Sequence, residues 1–362
     1  MMKNRKILEI CLSPDLGGLE LFMLSCVTEF SKYSPVKMVV APDKKLDNYL
    51  DSDEVLKIKR NKFFPIVPAL KLAKEIDKNE IDIIHFHWTR DIATVVLAKV
   101  LSKRKPKVVQ SRHMTMTRFK DDVYHKWLYK NIDLMHGVTF QVKEQLEKFI
   151  PKDIRPKIEV VHPGTKIPLV NKHRVEELRE KYALKDSFVI GIVGRVEEAK
   201  GQFLVLEAVA KLKERNIKAL IVGRAMEESY LEVLKKRTVA LDIEEKVVFT
   251  GFTKEVNEHI QLCDVTVLAT PKETFGLVVI ESMANGVPVI ATNNGGPLEI
   301  IEEGIDGLFF DKTSEDLEVK IKMLYRNERV KEKIKQNGLE SVQEKFNHQL
   351  QLNRLYEVIN ES

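Results

Sequence analysis

The stretch KETFGLVVIESMANGVPVIATNNGGPLEII, from Lys272 to Ile301, holds the residue types best spaced to do chemistry. It sets two carboxylates, Glu273 and Glu281, on either side of Phe275, Gly276 and Leu277, where an apolar strand (Val265 to Thr270) gives way to a helical pattern. At a helix start the first N–H groups lack intrahelical acceptors and the dipole is positive, so a phosphate is a natural occupant. Gly276 lets the backbone approach such a ligand closely. With the helix starting near Thr274, Glu273 stands at its mouth and Glu281 two turns in, so that one reaches a sugar while the other reaches a ribose. The pattern suits a sugar nucleotide, although acidic residues at a helix start also serve as caps alone.

Further polar groups fall at strand ends. The segment GRVEEAKG starts with Gly194 at the end of the strand Phe188 to Gly194 and puts Arg195 and Lys200 on the loop and first turn beyond it. Two cations there can neutralise a diphosphate leaving group as its charge develops, though an Arg-Lys pair on its own is often solvated surface. Gly17 and Gly18 follow the first strand and open a helix, which admits a diphosphate but equally makes a simple turn. His85 and His87 share one face of the strand IDIIHFH by period-two alternation, and His113 closes the strand Lys107 to His113. A histidine at a strand end is either a structural hydrogen-bonder or a catalyst, and His87 is a candidate for contact with an acceptor.

The elements that must hold these groups alternate. Strands are expected at Ile7 to Leu12, Val36 to Ala41, Val55 to Lys59, Ile81 to His87, Lys107 to His113, Met135 to Thr139 and Ile158 to His162. Helices are expected at Leu19 to Tyr33, Ile66 to Lys78, Ile92 to Leu101, Phe119 to Asn131 and Gln141 to Phe149. After a polar linker through Asn171 and Lys172 the alternation restarts, with strands at Phe188 to Gly194, Ala219 to Gly223, Val247 to Phe252, Val265 to Thr270, Pro288 to Thr292 and Leu308 to Phe310. Helices here are expected at Gln202 to Arg215 and Glu228 to Val239. Alternation of this kind predicts parallel pairing, hence an α/β chain of two doubly wound, Rossmann-like domains facing each other across a cleft. The expected domains are residues 1–166 and 167–345, with an amphipathic helix in 346–362 packing back on the first.

The chain of 362 residues exceeds one ordinary core, and 44% hydrophobic with 31% charged residues reads as soluble and globular. Three cysteines, Cys11, Cys26 and Cys263, have no metal-binding spacing and argue against a disulfide framework. The first apolar run is short and carries Glu9, and no run of about eighteen apolar residues occurs, so neither a signal peptide nor a spanning helix is expected. Charge is uneven: residues 1–168 hold 31 Lys and Arg against 21 Asp and Glu, while the remainder is net acidic. The basic half is expected to face something anionic, such as an inner-leaflet membrane surface or a phosphorylated lipid or saccharide. Its positive residues are not interleaved with aromatics as a nucleic-acid-binding face would be, so no nucleic acid is expected.

Taken together, GGLE near the N-terminus, GRVEEAKG, ETFGLVVIESMANGVPVIAT and the following GGPLEII resemble glycosyltransferase family 4, the retaining sugar-nucleotide transferases of GT-B fold. The resemblance spans nearly the whole chain, with the motifs in the expected order. It implies a UDP- or GDP-sugar donor held mainly by the second domain, a saccharide or lipid-linked acceptor at the first, no metal and no cofactor, and a role in cell-surface polysaccharide or lipopolysaccharide synthesis; the cysteine usage fits a cytoplasmic protein and the basic half one peripheral to the membrane. It further implies Arg195 and Lys200 as diphosphate ligands, Glu273 on the transferred sugar, Glu281 on the ribose, and the N–H groups of Phe275, Gly276 and Leu277 on the phosphates, faced by Gly17 and Gly18. Phe252 and Thr253 lie where the family reads the nucleobase, and His113 matches the histidine beside the transferred sugar. Arg224 in IVGRAMEE, Thr270-Pro271, and Leu21 in GGLELF depart from common family residues. Other readings left open are a GT-B nucleotide-sugar epimerase and a non-catalytic nucleotide-binding module.

Overall fold

The computed structural model describes residues 5–50, 55–61, 64–169, 171–212 and 216–361. Residues 213–215 of the expected helix Gln202 to Arg215, and the expected domain ends 1–4 and 362, lie outside them. The chain divides into two compact units, Met1–Pro163 with Gln349–Ser362, and Gly164–His348.

In the first unit seven short segments become strands: β1 (Ile7–Cys11), β2 (Val36–Val40), β3 (Leu56–Lys57), β4 (Ile83–Phe86), β5 (Lys107–Arg112), β6 (Leu134–Gly137) and β7 (Lys157–Val160). They pair in the order β3-β2-β1-β4-β5-β6-β7, all parallel. A parallel sheet is covered on both faces, so its strands are apolar throughout and not alternating. Accordingly β1, β4 and β6 are buried at every position. The covering helices are α1 (Gly18–Phe30), α2 (Lys45–Tyr49), α3 (Ile66–Asn79), α4 (Ile92–Leu101), α5 (Val123–Lys130) and α6 (Phe140–Phe149). Helix α3 shows the logic: Ala69, Leu72, Ala73 and Ile76 recur at helical spacing and are buried, and left-handed Glu80 ends it.

The second unit repeats the plan with β8 (Phe188–Val193), β9 (Ile217–Val222), β10 (Val247–Gly251), β11 (Val265–Leu268), β12 (Val289–Thr292) and β13 (Leu308–Phe310). Their order, β10-β9-β8-β11-β12-β13, is again parallel throughout. Its helices are α7 (Lys172–Lys181), α8 (Gln202–Lys211), α9 (Glu228–Ala240), α10 (Val256–Gln261), α11 (Leu277–Ala284), α12 (Ser314–Arg326) and α13 (Glu328–Lys345). Helix α14 (His348–Asn360) then joins the first unit, where Leu352, Leu355, Tyr356 and Ile359 pack with Ile7, Phe30, Ile83 and Val109. The Tyr356 hydroxyl meets Ser34 Oγ at 2.6 Å.

Three expectations are corrected. The polar linker is helical from Lys172 onward, because Asn171 Oδ1 accepts the Arg174 N–H at 3.1 Å and caps α7. Helices α10, α12 and α13 occupy segments for which the sequence suggested none. Most consequentially, α11 begins at Leu277 and not near Thr274, since Gly276 is left-handed (φ 96°) and breaks the helix there. Glu281 therefore sits little more than one turn into α11, not two.

In each sheet the strand order reverses direction once, between β1 and β4 and between β8 and β11. Loops leaving the carboxyl ends of such neighbouring strands run opposite ways and open a crevice, the place where open parallel sheets bind ligands. The loops after β8 and β11 carry Arg195, Lys200 and Glu273, and those after β1 and β4 carry Gly17, Gly18 and His87. Among the described residues no helix is long and apolar enough to cross a membrane.

Candidate active site

The loop after β8 is set by close backbone approach. Gly194 has φ 146°, and a Cβ on Gly223 would lie 1.7 Å from the Gly194 carbonyl oxygen, so no side chain fits between the ends of β8 and β9. Buried Gln202 then donates from Nε2 to the Arg195 carbonyl at 2.9 Å and fixes the turn. Left-handed Gly201 packs on β11, where a Cβ would lie 2.5 Å from the Ala269 carbonyl oxygen. The short 3-10 turn Glu198–Lys200 is thereby brought against the carboxyl end of β11. The result is an ion pair between Lys200 Nζ and Glu273 Oε2 at 3.1 Å, both side chains partly exposed. Arg195, at the exposed tip of the same loop, pairs with Glu197 Oε1 at 3.0 Å.

The segment 273–277 is held from behind by Asn294, Gly295 and Gly296, whose local sequence gives no sign of this task. Gly296 donates its N–H to the Glu273 carbonyl at 3.0 Å, and Asn294 Nδ2 donates to the Pro271 carbonyl at 2.8 Å. A Cβ on Gly295 would lie 2.3 Å from Glu273 O, and one on Gly296 would lie 2.2 Å from Phe275 Cα. Both contacts are with backbone, which cannot swing aside. Gly296→Ala should therefore push the Thr274–Phe275 backbone, and Glu273 with it, out of place and lower transfer at least tenfold, in line with the cost of a displaced positioning group, while the protein stays folded. Wild-type turnover in that variant would show the contact to be unimportant.

Phe275 buries its ring beneath the loop, leaving Leu277 exposed at the start of α11. By helix geometry the N–H groups of Leu277 and Val278 have no intrahelical acceptor. Among the described residues no donor meets the Glu281 carboxylate, and burial raises its pKa. Such a group is stabilised by incoming hydroxyl donors. Phe252, just past β10, is 71% exposed and free to cover a flat ring. Thr253 Oγ1 accepts the Glu255 N–H at 3.0 Å, which shapes the same turn. Arg224 is exposed beside Gly223.

In the first unit Gly17 caps α1, but its N–H is donated to Glu20 Oε2 at 2.9 Å. Its amide is thus committed within the loop, whereas Gly18 is exposed at the first helical position. His85 and His87 do share a face, and the reason is Glu9, whose Oε1 meets His85 Nδ1 at 2.9 Å and whose Oε2 meets His87 Nε2 at 2.7 Å. All three are buried, so His87 is not presented to an acceptor at the surface; it is a member of an internal network. The network continues from His85 Nε2 to Ser111 Oγ (2.7 Å), to His136 Nδ1 (2.7 Å), and from His136 Nε2 to the Val161 carbonyl (2.8 Å). Since a carbonyl only accepts, His136 donates from Nε2, Ser111 donates to His136 and His85 donates to Ser111. A charged residue in the otherwise apolar run ILEIC was the available signal for this role.

His113 follows the end of β5, with Phe22 edge-on to its ring at 4.9 Å and the His87 ring 5.8 Å away. Its Nε2 is buried without a partner among the described residues. Burial first, and then the neighbouring histidines and Arg112, hold its pKa well below the ordinary histidine range. Burial likewise lowers His87 to about 4, with His85 adding to the shift and Glu9 opposing it, and lowers His136 to about 3. An unfolded histidine titrates near 6.5, so between that value and these the unfolded chain binds more protons than the folded one. Stability from this source is complete above about pH 6.5 and is lost as pH falls. Thermal unfolding should move to lower temperature between pH 7 and 5.5, with proton uptake on unfolding; an unchanged midpoint over that interval would contradict the burial of His87, His113 and His136 in neutral form.

Among the described residues, ligand atoms of Cys26, His85 and His87 lie within 4.8 Å of one another. Both His85 nitrogens and His87 Nε2 are already engaged by Ser111 and Glu9, so a metal there would have to break the network.

Comparison with known proteins agrees with this geometry. The family of glycosyl transferases group 1 matches residues 174–341, and the glycosyl transferase 4-like family matches residues 9–139. The chain is 28% identical over 291 residues to N-acetyl-alpha-D-glucosaminyl L-malate synthase of Bacillus anthracis, covering 78% of this chain and 75% of that one. It is 31% identical over 179 residues to the capsular polysaccharide biosynthesis glycosyltransferase CapM of Staphylococcus aureus, covering 48% and 47%. The structure of Anabaena Alr3699/HepE in complex with UDP and glucose superposes with a TM-score of 0.83 at 19% identity, over 98% of this chain and 99% of that one. With a glycosyltransferase family matched in each unit and two parallel Rossmann-like sheets, the chain belongs to the GT4-type glycosyltransferases of GT-B fold.

Proposed function

We propose that the chain is a retaining glycosyltransferase that moves a sugar from a nucleotide-sugar donor, such as a UDP- or GDP-sugar, to a saccharide or lipid-linked acceptor in cell-surface polysaccharide or lipopolysaccharide synthesis. The observation that carries this reading is the Lys200–Glu273 pair at 3.1 Å, which joins the loops after β8 and β11 at the reversal of the strand order. A cation and a carboxylate there suit a donor with a diphosphate on one side and a hydroxylated sugar on the other. CapM supports the polysaccharide context by its name, and Anabaena HepE supports a nucleotide donor by the UDP in its complex.

In this proposal Arg195, Lys200 and the N–H groups of Phe275, Gly276 and Leu277 take the diphosphate. Glu281 takes the ribose hydroxyls, and Phe252 and Thr253 the base. Gly194 gives the first loop its course, while Gly18, with Gly17 behind it, lines the donor from the first unit. Glu273 and neutral His113 orient the transferred sugar. Negative charge grows on the departing phosphate while the sugar takes on oxocarbenium character, so cations at the phosphate stabilise the transition state more than the bound donor. The departing oxygen accepts the acceptor's proton on the face it leaves, and no carboxylate becomes a covalent nucleophile. The test is incubation with UDP-, GDP- and ADP-sugars, with and without saccharide or lipid extracts, in buffer containing a metal chelator. Acceptor-dependent nucleotide release with the donor's anomeric configuration in the product is expected; release without acceptor, or an inverted product, would overturn the proposal.

The basic first unit is further proposed to rest on the inner face of the membrane. Phe119, Val123, Tyr124 and Trp127 are exposed near Arg118 and Lys130, a mixture suited to an anionic bilayer interface. Binding to phosphatidylglycerol-containing vesicles should weaken as salt rises, and a salt-independent or absent interaction would count against contact.

A further inference from the structure

A second cluster of cations lies in the first unit, at the carboxyl ends of β4 and β5. A cavity of about 250 Å³ opens there, lined in part by Thr89, Arg112, Thr115, Arg118, Lys120 and His125. It is smaller than the roughly 300–1,000 Å³ of pockets that enclose a whole small ligand, and so suits a head group.

Arg112, the last residue of β5, is 8% exposed. Its Nε donates to the Met114 carbonyl at 2.8 Å, one terminal nitrogen to Thr89 Oγ1 at 2.7 Å and the other to the Thr115 carbonyl at 3.1 Å. A guanidinium has five N–H donors, so two remain, one on each terminal nitrogen. No carboxylate pairs with Arg112 among the described residues. Lys120, held in place by its N–H to the Phe149 carbonyl at 2.9 Å, has no acidic partner either, and neither has Arg118. Burial, then Arg118 and then Arg112 depress the Lys120 pKa and Asp122 only partly opposes them, so the three positive charges feel one another. Asp122, the N-cap of α5, is occupied in capping that helix, accepting the His125 N–H at 3.0 Å and meeting His125 Nδ1 at 2.5 Å. Three neighbouring cations, none of them paired with a carboxylate among the described residues, favour an arriving anion. A purely structural arginine would explain the carbonyl contacts and leave Arg118 and Lys120 unexplained.

We propose that this cavity receives a phosphate group carried by the acceptor, gripped by the two spare N–H donors of Arg112 and by the charges of Arg118 and Lys120. Two spare guanidinium donors and a threefold positive charge favour a phosphate over a single carboxylate. The word acceptor rests on the proposed transferase reading; the phosphate site does not.

The experiment is calorimetric titration of the full chain with glucose 1-phosphate, glucuronate and glucose. Arg118→Ala/Lys120→Ala removes two largely solvent-facing charges and spares the fold, and should weaken glucose 1-phosphate at least tenfold. Arg112→Lys, which keeps the charge and loses the fork, should weaken it too. Arg195→Ala/Lys200→Ala should leave a phosphate-binding event intact. Tighter binding of phosphatidic acid vesicles than of glucose 1-phosphate, again sensitive to Arg118→Ala/Lys120→Ala, places the phosphate on a lipid; the reverse order places it on a soluble saccharide. Unchanged affinity in Arg118→Ala/Lys120→Ala, loss of all phosphate binding in Arg195→Ala/Lys200→Ala, or glucuronate binding as tightly as glucose 1-phosphate would overturn the proposal. UDP binding, followed in the same variants, reports on the donor site alone and separates this failure from failure of the transferase reading.

Discussion

Lys200→Ala is expected to lower kcat/KM by about two to three powers of ten and to weaken nucleoside diphosphate binding. Lys200 is placed by the left-handed Gly201 behind it, so its Nζ occupies one position beside the carboxyl end of β11. In the unliganded chain Glu273 balances its charge at 3.1 Å. A bound diphosphate competes for the same ammonium, and the competition sharpens as the leaving group gains charge. Removing a single preorganised group that meets developing charge costs roughly 2.7–4 kcal/mol of transition-state stabilisation, which is the stated loss in rate. Folding should hardly change, because a partly exposed ion pair contributes about 0–1 kcal/mol. Steady-state kinetics with a thermal melt checks both halves: a large loss of Tm with little loss of rate would make Lys200 a structural residue.

Glu273→Ala should separate transfer from binding. We expect kcat to fall by roughly a hundredfold or more, as for loss of a positioning group, while nucleoside diphosphate affinity is kept or improved. The improvement follows from the same pair, since deleting the carboxylate frees Lys200 for phosphate. Glu273 itself is well fixed: Oε2 holds Lys200, Oε1 accepts the Thr274 N–H at 3.2 Å, and its carbonyl accepts from Gly296. The two substitutions therefore have opposite signs on binding and the same sign on turnover. A Glu273→Ala enzyme with near-normal kcat would refute the positioning role.

Much of this was legible in the chain because parallel strands advertise themselves as short continuous apolar runs, and ILEIC, IIHF and FVIGIV all do so. Sequence motifs also fall next to strand ends, so the chain alone places Arg195, Lys200 and Glu273 on loops. Helix α13 was missed because only a narrow stripe of it, including Ile334, Gly338 and Val342, is buried, and the rest is charged. The start of α11 was misplaced because a left-handed glycine ends the preceding turn, a conformation that composition does not reveal. The tasks of Gly295 and Gly296 depend on contacts with a loop more than twenty residues away, which no local pattern encodes. Glu9 was seen only as a charge in an apolar run, and its partners His85 and His87 lie 76 and 78 residues away.

The central claim is that cations from the loop after β8 and amides from the loop after β11 meet one diphosphate. A crystal structure of the chain with a bound nucleoside diphosphate tests it most directly. The account predicts diphosphate oxygens within about 3.2 Å of Lys200 Nζ, of the Arg195 guanidinium and of N–H groups between Phe275 and Leu277, with Glu281 on the ribose. A nucleotide bound elsewhere, with the Lys200–Glu273 pair undisturbed, would contradict it.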